Sequence, residues 1–525
     1  MPEIRPEAHF GDRVVRCFAP RPPDLHALLA EAAARNPEGE ALVQGDARLT
    51  YAALESRVAR LAGGLAARGI GAGDRVALLL GNRAEFVVAL FAAARLGAVF
   101  VPLSEREATP GLAYLLAHSG AAVLLHDPAF ADRLPPPAET PVLRLRVAVP
   151  GPAWDALLDA APLPPARAGE EDVAALFYSS GTTGRPKGVM LTHLGFVHSA
   201  MHYERAMRLG PADRSVVAVP LSHITGTVAQ VLALVRAAGT LIVLPQFKAR
   251  EFLALAARER MTHTLMVPAM YALCLLDPEF ARHDLSAWRI GGYGGAPMPE
   301  ETVRRLAEAL PGLGLMNAYG ATETTSPATL LAPEDALARR DTVGRAVPCA
   351  ELRVTDLDGS DLPPGEAGEI RIRGPMVARG YWNDPAATAA AFEAGWWRSG
   401  DIGALDAEGF LRVLDRSKDM INRGGLKVYS AEVENALLAH PSVVEAAVVA
   451  YPCPVLGERV RAFVVAREPV PEPDELRALC AARLADYKVP ERILLRDAPL
   501  PRNAAGKVLK RELRMLDETT TEAMP

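Results

Sequence analysis

Residues 176–193, LFYSSGTTGRPKGVMLTH, concentrate the groups that a polyphosphate needs. Ser179, Ser180, Thr182 and Thr183 bring hydroxyls, Gly181, Gly184 and Gly188 bring bare backbone, and Arg185 and Lys187 bring positive charge. No Asp or Glu occurs across residues 173–203 to neutralise them. Glycines let backbone amides approach phosphate oxygens, hydroxyls add donors, and Lys187 supplies a point charge. The spacing GxxxxGK[ST] is not met, because Pro186 precedes Lys187 and Gly188 follows it. A helix is therefore not expected to begin at the lysine, and P-loop NTPase geometry does not fit. Gly, Ser and Thr also build plain surface turns, so the stretch alone admits both readings.

Other segments carry weaker signals of the same kind. PLSHITG, residues 220–226, places His223 just past the carboxyl end of a strand pattern, where open α/β sheets bind ligands; a hydrogen-bonded core histidine fits equally well. GGYGGAP, residues 291–297, follows a strand-like 288–290 and suits either the close approach of a flat ligand or a tight turn. NAYGATETT, residues 317–325, joins Tyr319, Glu323 and threonine hydroxyls, enough to stack a base and hold Mg²⁺ near phosphates, although such a loop also caps helices. GWWRSGDIG sets Asp401 between two glycines, where a carboxylate can accept hydrogen bonds from ribose hydroxyls or serve a turn. Charge gathers around Gly424 and Gly425, and Lys507 in PRNAAGKVLKREL reads by itself as a solvated lysine.

The elements that must position these groups alternate in type. Residues 51–68 put Leu54, Val58, Leu61 and Leu65 on one helical face, ended by Gly69 and Gly71. A strand over 75–80, a helix over 83–96 and a strand over 98–101 make a βαβ unit, hence a parallel sheet. Residues 135–141 and 161–168 read as loops, and 173–193 as two strands joined by a loop. The sheet is expected to resume through a strand at 215–220, a helix at 228–237, a strand at 240–244, a helix at 249–260 and a strand at 263–267. Residues 350–414 read as short strands with turns, a β-rich subdomain. Past Asp415 a compact α+β pattern follows. Ser430 is expected to cap a helix stopped by Pro441, followed by strands at 443–449 and 461–465 and a helix at 474–485. The class is α/β: a large N-terminal domain of parallel-type α/β sheets with a small β-rich subdomain, plus a small α+β C-terminal domain.

Composition bounds the function. A chain of 525 residues with 50% hydrophobic and 23% charged residues is globular and long enough for two or three domains. A net charge of -6 and a pI near 6.1 argue against non-specific nucleic-acid binding. The cysteines, Cys17, Cys274, Cys349, Cys453 and Cys480, are scattered without a CxxC pair, which suggests a reducing compartment and no zinc site. The N-terminus lacks the apolar core of a signal peptide, and the longest apolar tract, 86–101, is broken by Arg95 and Gly97, so no membrane span is expected. A cytoplasmic protein, monomer or homodimer, is the expectation.

Taken together, these segments resemble the adenylate-forming superfamily of acyl- and aryl-CoA synthetases, peptide-synthetase adenylation domains and beetle luciferases. The likeness rests on YSSGTTGRPKG, PLSHITG, GGAP, YGATETT, SGDIG, DRSKD, RGGLKVYSAEVE and PRNAAGK, in that order along nearly the whole chain. The resemblance implies a domain over 1–415 for ATP and acid, and a mobile domain over 416–525 that hinges near Lys418. It implies that Ser179, Ser180, Gly181, Thr182, Thr183, Gly184 and Lys187 hold the β- and γ-phosphates of ATP. Gly295, Ala296 and Tyr319 would border adenine, and Asp401 and Arg416 would bind ribose. Thr322 and Glu323 would serve the α-phosphate and Mg²⁺, with Thr183 also at the metal. Lys507 would bridge the substrate carboxylate and α-phosphate, His223 would gate the acyl pocket, and Gly424 and Gly425 would flank the pantetheine of coenzyme A.

What the resemblance implies is ATP-dependent activation of a carboxylic acid to acyl-AMP with pyrophosphate release, then transfer to coenzyme A. The cofactors and substrates would be ATP, Mg²⁺, coenzyme A and a small-molecule acid. A stand-alone enzyme loading a carrier protein is the nearest rival. A non-catalytic nucleotide-binding relative is a rival of another class, disfavoured by the joint presence of Lys187, Glu323, Asp401, Arg416 and Lys507. Ser430 stands where many relatives have proline, Ala318 where glycine is common, and Leu221 and Ser222 where an aromatic often precedes the histidine. Residues 220–235 contain no Lys or Arg, so the expected acid is an apolar monocarboxylate, fatty or aryl/alicyclic.

Overall fold

The computed structural model describes residues 3–179, 185–296, 298–356, 358–502 and 508–516. The chain divides into two compact units, one of Met1–Pro297, Arg305–Leu352 and Arg371–Arg398, the other of Met298–Arg304, Arg353–Ile370 and Ser399–Pro525.

The first unit holds two large sheets. A six-stranded sheet runs in the order Lys187–Thr192, Val173–Ser179, Val99–Pro102, Arg75–Leu79, Ala121–His126, Leu145–Ala148. Its strands are parallel except for the pair flanking the glycine-rich loop, which is antiparallel. The expected βαβ unit is present, with Arg75–Leu79 parallel to Val99–Pro102 through the helix Ala84–Leu96. That helix is buried from Phe86 to Leu96, the pattern of an element covered on every side. The stripe Leu54, Val58, Leu61 and Leu65 of Tyr51–Ala66 is fully buried in the same apolar cluster, which takes Phe100 and Phe177 from this sheet and Leu42 and Leu241 from the next.

The strands after residue 213 do not resume that sheet. Arg214–Val217, Thr240–Val243 and His263–Met266 belong to a separate nine-stranded sheet that also takes Glu40–Gln44, Ile290–Gly294 and Gly314–Tyr319. Alternation of strand and helix gives the local type of each element but not which neighbour a strand chooses, because both sheets draw on the same βα pattern. The expected helix over 228–237 opens as a π-helix, Gly226–Leu232, and becomes α-helical only at Ala233–Ala237. Gly291, Gly292 and Gly294 of GGYGG do not follow a strand but lie within one, Ile290–Gly294, and Gly295 comes directly after it. They are there for packing: a Cβ on Gly294 would meet the Ala318 carbonyl oxygen at 2.5 Å. An N-terminal antiparallel hairpin, Ile4–His9 with Arg13–Phe18, was not foreseen.

In the second unit Leu426–Val428, Ile421–Arg423, Gly457–Ala466 and Val443–Cys453 form a sheet, and Arg492–Arg496 joins it parallel to Gly457–Ala466. The helices Ser430–Leu438 and Pro473–Ala481 pack on it through Val433, Leu437, Leu476 and Cys480. The two central strands extend several residues beyond the expected 443–449 and 461–465, and the second helix stops before 485. Ser430 does not cap its helix. Its backbone N–H and its hydroxyl both bond to Asp415, so the helix start is capped by a carboxylate from the earlier strand Leu411–Arg416.

All five cysteines are buried and free. Among the described residues no helix is long and apolar enough to cross a membrane.

Candidate active site

The strands Val173–Ser179 and Lys187–Thr192 pair so that Ser179 faces Lys187 across the ladder. The glycine-rich loop therefore springs from one cross-strand pair, which places the hydroxyl and the ammonium at its base. Ser180, Gly181, Thr182, Thr183 and Gly184 lie outside the described residues, as does Lys507. The loop's exit is fixed from outside the sheet: the Tyr114 hydroxyl donates to the Pro186 carbonyl at 3.0 Å, and the Arg185 guanidinium lies 5.8 Å from the Tyr114 ring. Lys187 forms no ion pair with the described residues; its Nζ sits 5.0 Å from the centre of the Tyr381 ring. An aromatic face holds an ammonium without neutralising it, so the charge stays available to an anion.

Glu323 lies on a one-turn 3-10 helix, Thr322–Thr324, directly after the strand Gly314–Tyr319. The turn is held at several points. The Ala321 N–H donates to Thr324 Oγ1 at 2.9 Å, the Thr325 hydroxyl to the Met376 carbonyl at 2.6 Å, and the Ala378 N–H to the Glu323 carbonyl at 2.8 Å. The Glu323 side chain is buried, and its Oε1 accepts from the Tyr381 hydroxyl at 3.1 Å and from Ser179 Oγ at 3.4 Å. Its Oε2 has no protein partner among the described residues. A carboxylate with one oxygen held and one open suits a hard divalent cation such as Mg²⁺, which takes oxygen ligands and keeps several waters.

Gly294 and Ala318 are register partners on adjacent parallel strands. The residues that follow, Gly295 and Ala296 on one side and Tyr319 on the other, thus emerge together at the carboxyl edge of the sheet, with Ala296 exposed and Tyr319 partly so. The structure brings these three residues to one edge of the sheet. His223 also emerges beyond a carboxyl end, after Arg214–Val217 and just before the π-helix. Its Nδ1 accepts from the Thr225 N–H at 3.3 Å, which puts the proton of the neutral ring on Nε2. The turn that carries it is fixed by Asn82, a buried residue of the first sheet's loop. Asn82 donates to the carbonyls of Val219 and Leu244 at 3.0 and 3.2 Å and accepts from the Leu221 N–H at 2.8 Å.

In the second unit Asp401 and Arg416 face each other across the hairpin of Trp396–Leu405 and Leu411–Arg416, with Nε 3.3 Å from Oδ1. Lys418 follows, and desolvation first, with the Arg416 and Arg514 guanidiniums adding, lowers its ammonium pKa. Gly424 and Gly425 form the two-residue turn between Ile421–Arg423 and Leu426–Val428, with φ of 60° and 90°. Two successive positive φ angles favour glycine at both positions.

Sequence reasoning missed Tyr381 and Asn82. Both act through tertiary contacts, and neither sits in a run of chemically suggestive residues. A further cluster, Glu7, His9 and Cys17, brings potential metal ligands within 4.8 Å of one another. Arg21 and Arg5 already bind Glu7 and hold its carboxyl down at about 2, the Arg21 hydrogen bonds contributing most. Burial pushes the Cys17 thiol up to about 12. A guanidinium beside the carboxylate and a protonated thiol both oppose a cation there.

Comparison with known proteins agrees with this geometry. The family model described as AMP-binding enzyme matches residues 29–382, and that of the AMP-binding enzyme C-terminal domain matches 432–507. A feruloyl-CoA synthase of Amycolatopsis is 40% identical over 483 residues, covering 91% of this chain and 96% of that protein. A long-chain-fatty-acid–CoA ligase of Mycobacterium tuberculosis is 36% identical over 499 residues, covering 93% and 97%. An anthranilate CoA ligase solved with anthranoyl-AMP superposes with a TM-score of 0.90 at 26% identity, covering 96% and 99%. The o-succinylbenzoate CoA synthetase of Bacillus subtilis, solved with ATP and magnesium, gives a TM-score of 0.83 at 33% identity, covering 93% and 98%. The chain belongs to the AMP-binding, adenylate-forming enzymes, in the acid:CoA ligase branch that activates a carboxylic acid to acyl-AMP with ATP and Mg²⁺ and passes the acyl group to coenzyme A.

Proposed function

We propose that the acid is an apolar monocarboxylate, an aryl acid foremost, with fatty and alicyclic acids in the same class. The observation that carries this is the segment from Pro220 to the end of the π-helix. It contains no Lys or Arg, every residue of Gly226–Leu232 is buried, and the Thr227 hydroxyl and the Gln230 side-chain N–H are already engaged. The Thr227 hydroxyl donates to the Leu221 carbonyl at 2.7 Å, and Gln230 Nε2 to Thr264 Oγ1 at 3.1 Å. A second carboxylate on the substrate would be desolvated there without a partner. The similarity to a feruloyl-CoA synthase, an aryl-acid enzyme by its name, supports the aryl choice.

The roles of individual residues follow from the same reading. Lys187 and Ser179, with Ser180, Gly181, Thr182, Thr183 and Gly184, receive the β- and γ-phosphates. Gly295, Ala296 and Tyr319 border adenine, Asp401 and Arg416 hold ribose, and Thr322 serves the α-phosphate. Glu323, with Thr183, holds magnesium, which when bound offsets the repulsion between the attacking carboxylate and the anionic α-phosphate. Lys507 bridges the two reacting groups and stabilises the charge that develops between them. His223 gates the acyl pocket, and Gly424 and Gly425 flank pantetheine. The domains are 1–415 and 416–525, and a turn at Lys418 rebuilds the site for the second step. Free, buried cysteines and the cellular supply of ATP and coenzyme A support a cytoplasmic location.

The test is a panel of benzoates, cinnamates, arylacetates, fatty acids and dicarboxylates, assayed for pyrophosphate release and for AMP release with and without coenzyme A. Turnover is expected to be highest with aryl monocarboxylates and to depend on coenzyme A. A preference for dicarboxylates would overturn the substrate reading.

A further inference from the structure

Residues 379–382 run antiparallel beside Lys187–Thr192 through one isolated bridge. The Trp382 N–H donates to the Gly188 carbonyl at 2.7 Å, the Met190 N–H to the Gly380 carbonyl at 2.9 Å and the Arg379 N–H to the Met190 carbonyl at 3.1 Å. Val189 and Tyr381 are bridge partners. This pairing places Tyr381 beside the base of the glycine-rich loop. Its N–H donates to Thr388 Oγ1 at 2.9 Å, and its ring packs edge-on against Phe392 at 5.5 Å. The side chain is buried, and its freedom is taken up by these contacts.

From that fixed position the side chain reaches in two directions. Its hydroxyl donates to Glu323 Oε1 at 3.1 Å, and its face lies 5.0 Å from Lys187 Nζ. We propose that Tyr381 is a positioning residue of the ATP half-reaction: its hydroxyl holds one oxygen of Glu323 so that the other faces the metal, and its ring seats Lys187 without neutralising it. One side chain thereby sets the relation between the carboxylate that takes the cation and the ammonium that takes the phosphates. The inference rests on the roles given above to Glu323 and Lys187. A tyrosine phenol is protonated at neutral pH and therefore serves as a donor to the carboxylate. Phenol to carboxylate is a charge-assisted bond, stronger than a bond between neutral groups.

The experiment uses the full chain and the variants Tyr381→Phe, Tyr381→Leu, Tyr381→His and Glu323→Gln. Mn²⁺ binding to the enzyme with ATP is read by electron paramagnetic resonance, and ATP binding in EDTA by calorimetry. Tyr381→Phe is expected to weaken Mn²⁺ binding roughly tenfold, as loss of one hydrogen bond to a charged group would, while ATP binding without metal shifts less than about twofold. Tyr381→Leu, which also removes the seat of Lys187, is expected to weaken both, and Tyr381→His, which restores a donor on a ring, to recover part of the metal affinity. Wild-type Mn²⁺ binding in Tyr381→Phe, with binding lost in Glu323→Gln, overturns the proposal alone. Wild-type Mn²⁺ binding in both overturns the metal role of Glu323 and the proposal with it. If Tyr381→Phe shows a lowered denaturation midpoint and weaker metal binding that Tyr381→His does not recover, the role is merely structural and the proposal fails.

Discussion

Lys187 sits opposite an aromatic ring and has no carboxylate partner among the described residues, unlike several partly buried cations of the first unit. Arg21, Arg95 and Arg214, for example, are each tied to Glu or Asp. An ammonium held over an aromatic ring keeps its charge and can still meet a ligand anion. Lys187→Ala is therefore expected to lower kcat/KM for ATP-dependent pyrophosphate exchange by about 10²-fold, while transfer from supplied acyl-AMP to coenzyme A falls far less. Lys507→Ala is expected to show the same split, and equal loss of both steps would sink either assignment. At this scale the residues legible in the sequence were those in dense motifs, such as Glu323, Asp401 and Lys187. Tyr381 and Asn82 were not legible, because an isolated Tyr or Asn acquires its role only from what the fold sets beside it.

At the scale of elements, the segment after the Asp401–Arg416 hairpin is tied to the last described helix. Lys510 Nζ bonds to Ser430 Oγ and to Glu434 Oε1, each at 2.6 Å, and Ser430 bonds to Asp415. At the far end of the helix Lys510–Met515, Arg514 donates to the Lys418 carbonyl at 3.1 Å and to Asp419 at 2.7 Å. The strand end, the proposed hinge residue and the helix that follows Lys507 thus share one polar network. Burial raises the carboxyl pKa of both Asp415 and Glu434 despite Lys510, so the network is under desolvation stress. Lys510→Met leaves Glu434 without its cation and is expected to cost about 3 kcal/mol at pH 7.5, read from the urea midpoint. The loss should shrink at pH 5.5, where an unpaired Glu434 takes up a proton; an unchanged loss would place the effect in packing. The sequence called a helix at Ser430 correctly and its cap wrongly, because Asp415 lies fifteen residues back and only the sheet brings it to the helix start.

Across the whole molecule the first unit stores acid sensitivity in its core. His193, His198, His202 and His263 are all buried, and burial is the largest cause of a lowered pKa in each, with His198 held down to about 3. His198 is stacked on Phe18 at 5.6 Å, and both ring nitrogens of His202 lack a partner. The folded state keeps these rings neutral while the unfolded chain binds protons near pH 6.5. Stability is then complete above that pH and is lost as pH falls toward the folded pKa values. His198 and His263, held down to about 3 and about 4, are each expected to remove about 2 kcal/mol between pH 7 and pH 5. Denaturant midpoints at the two pH values check this, and His202→Leu should reduce the loss; a flat profile would refute it. What the sequence by itself determined was element type, the order of the motifs, the family and the reaction class, because these depend on periodicity and local residue chemistry. The tertiary structure decided which of two sheets each strand joins, that Gly291, Gly292 and Gly294 are strand residues with Gly294 packed on Ala318, and that Asp415 caps the helix at Ser430. It also decided that Tyr381 meets Glu323 and Lys187. Those outcomes turn on contacts between residues far apart in the chain, and no local pattern encodes the partner.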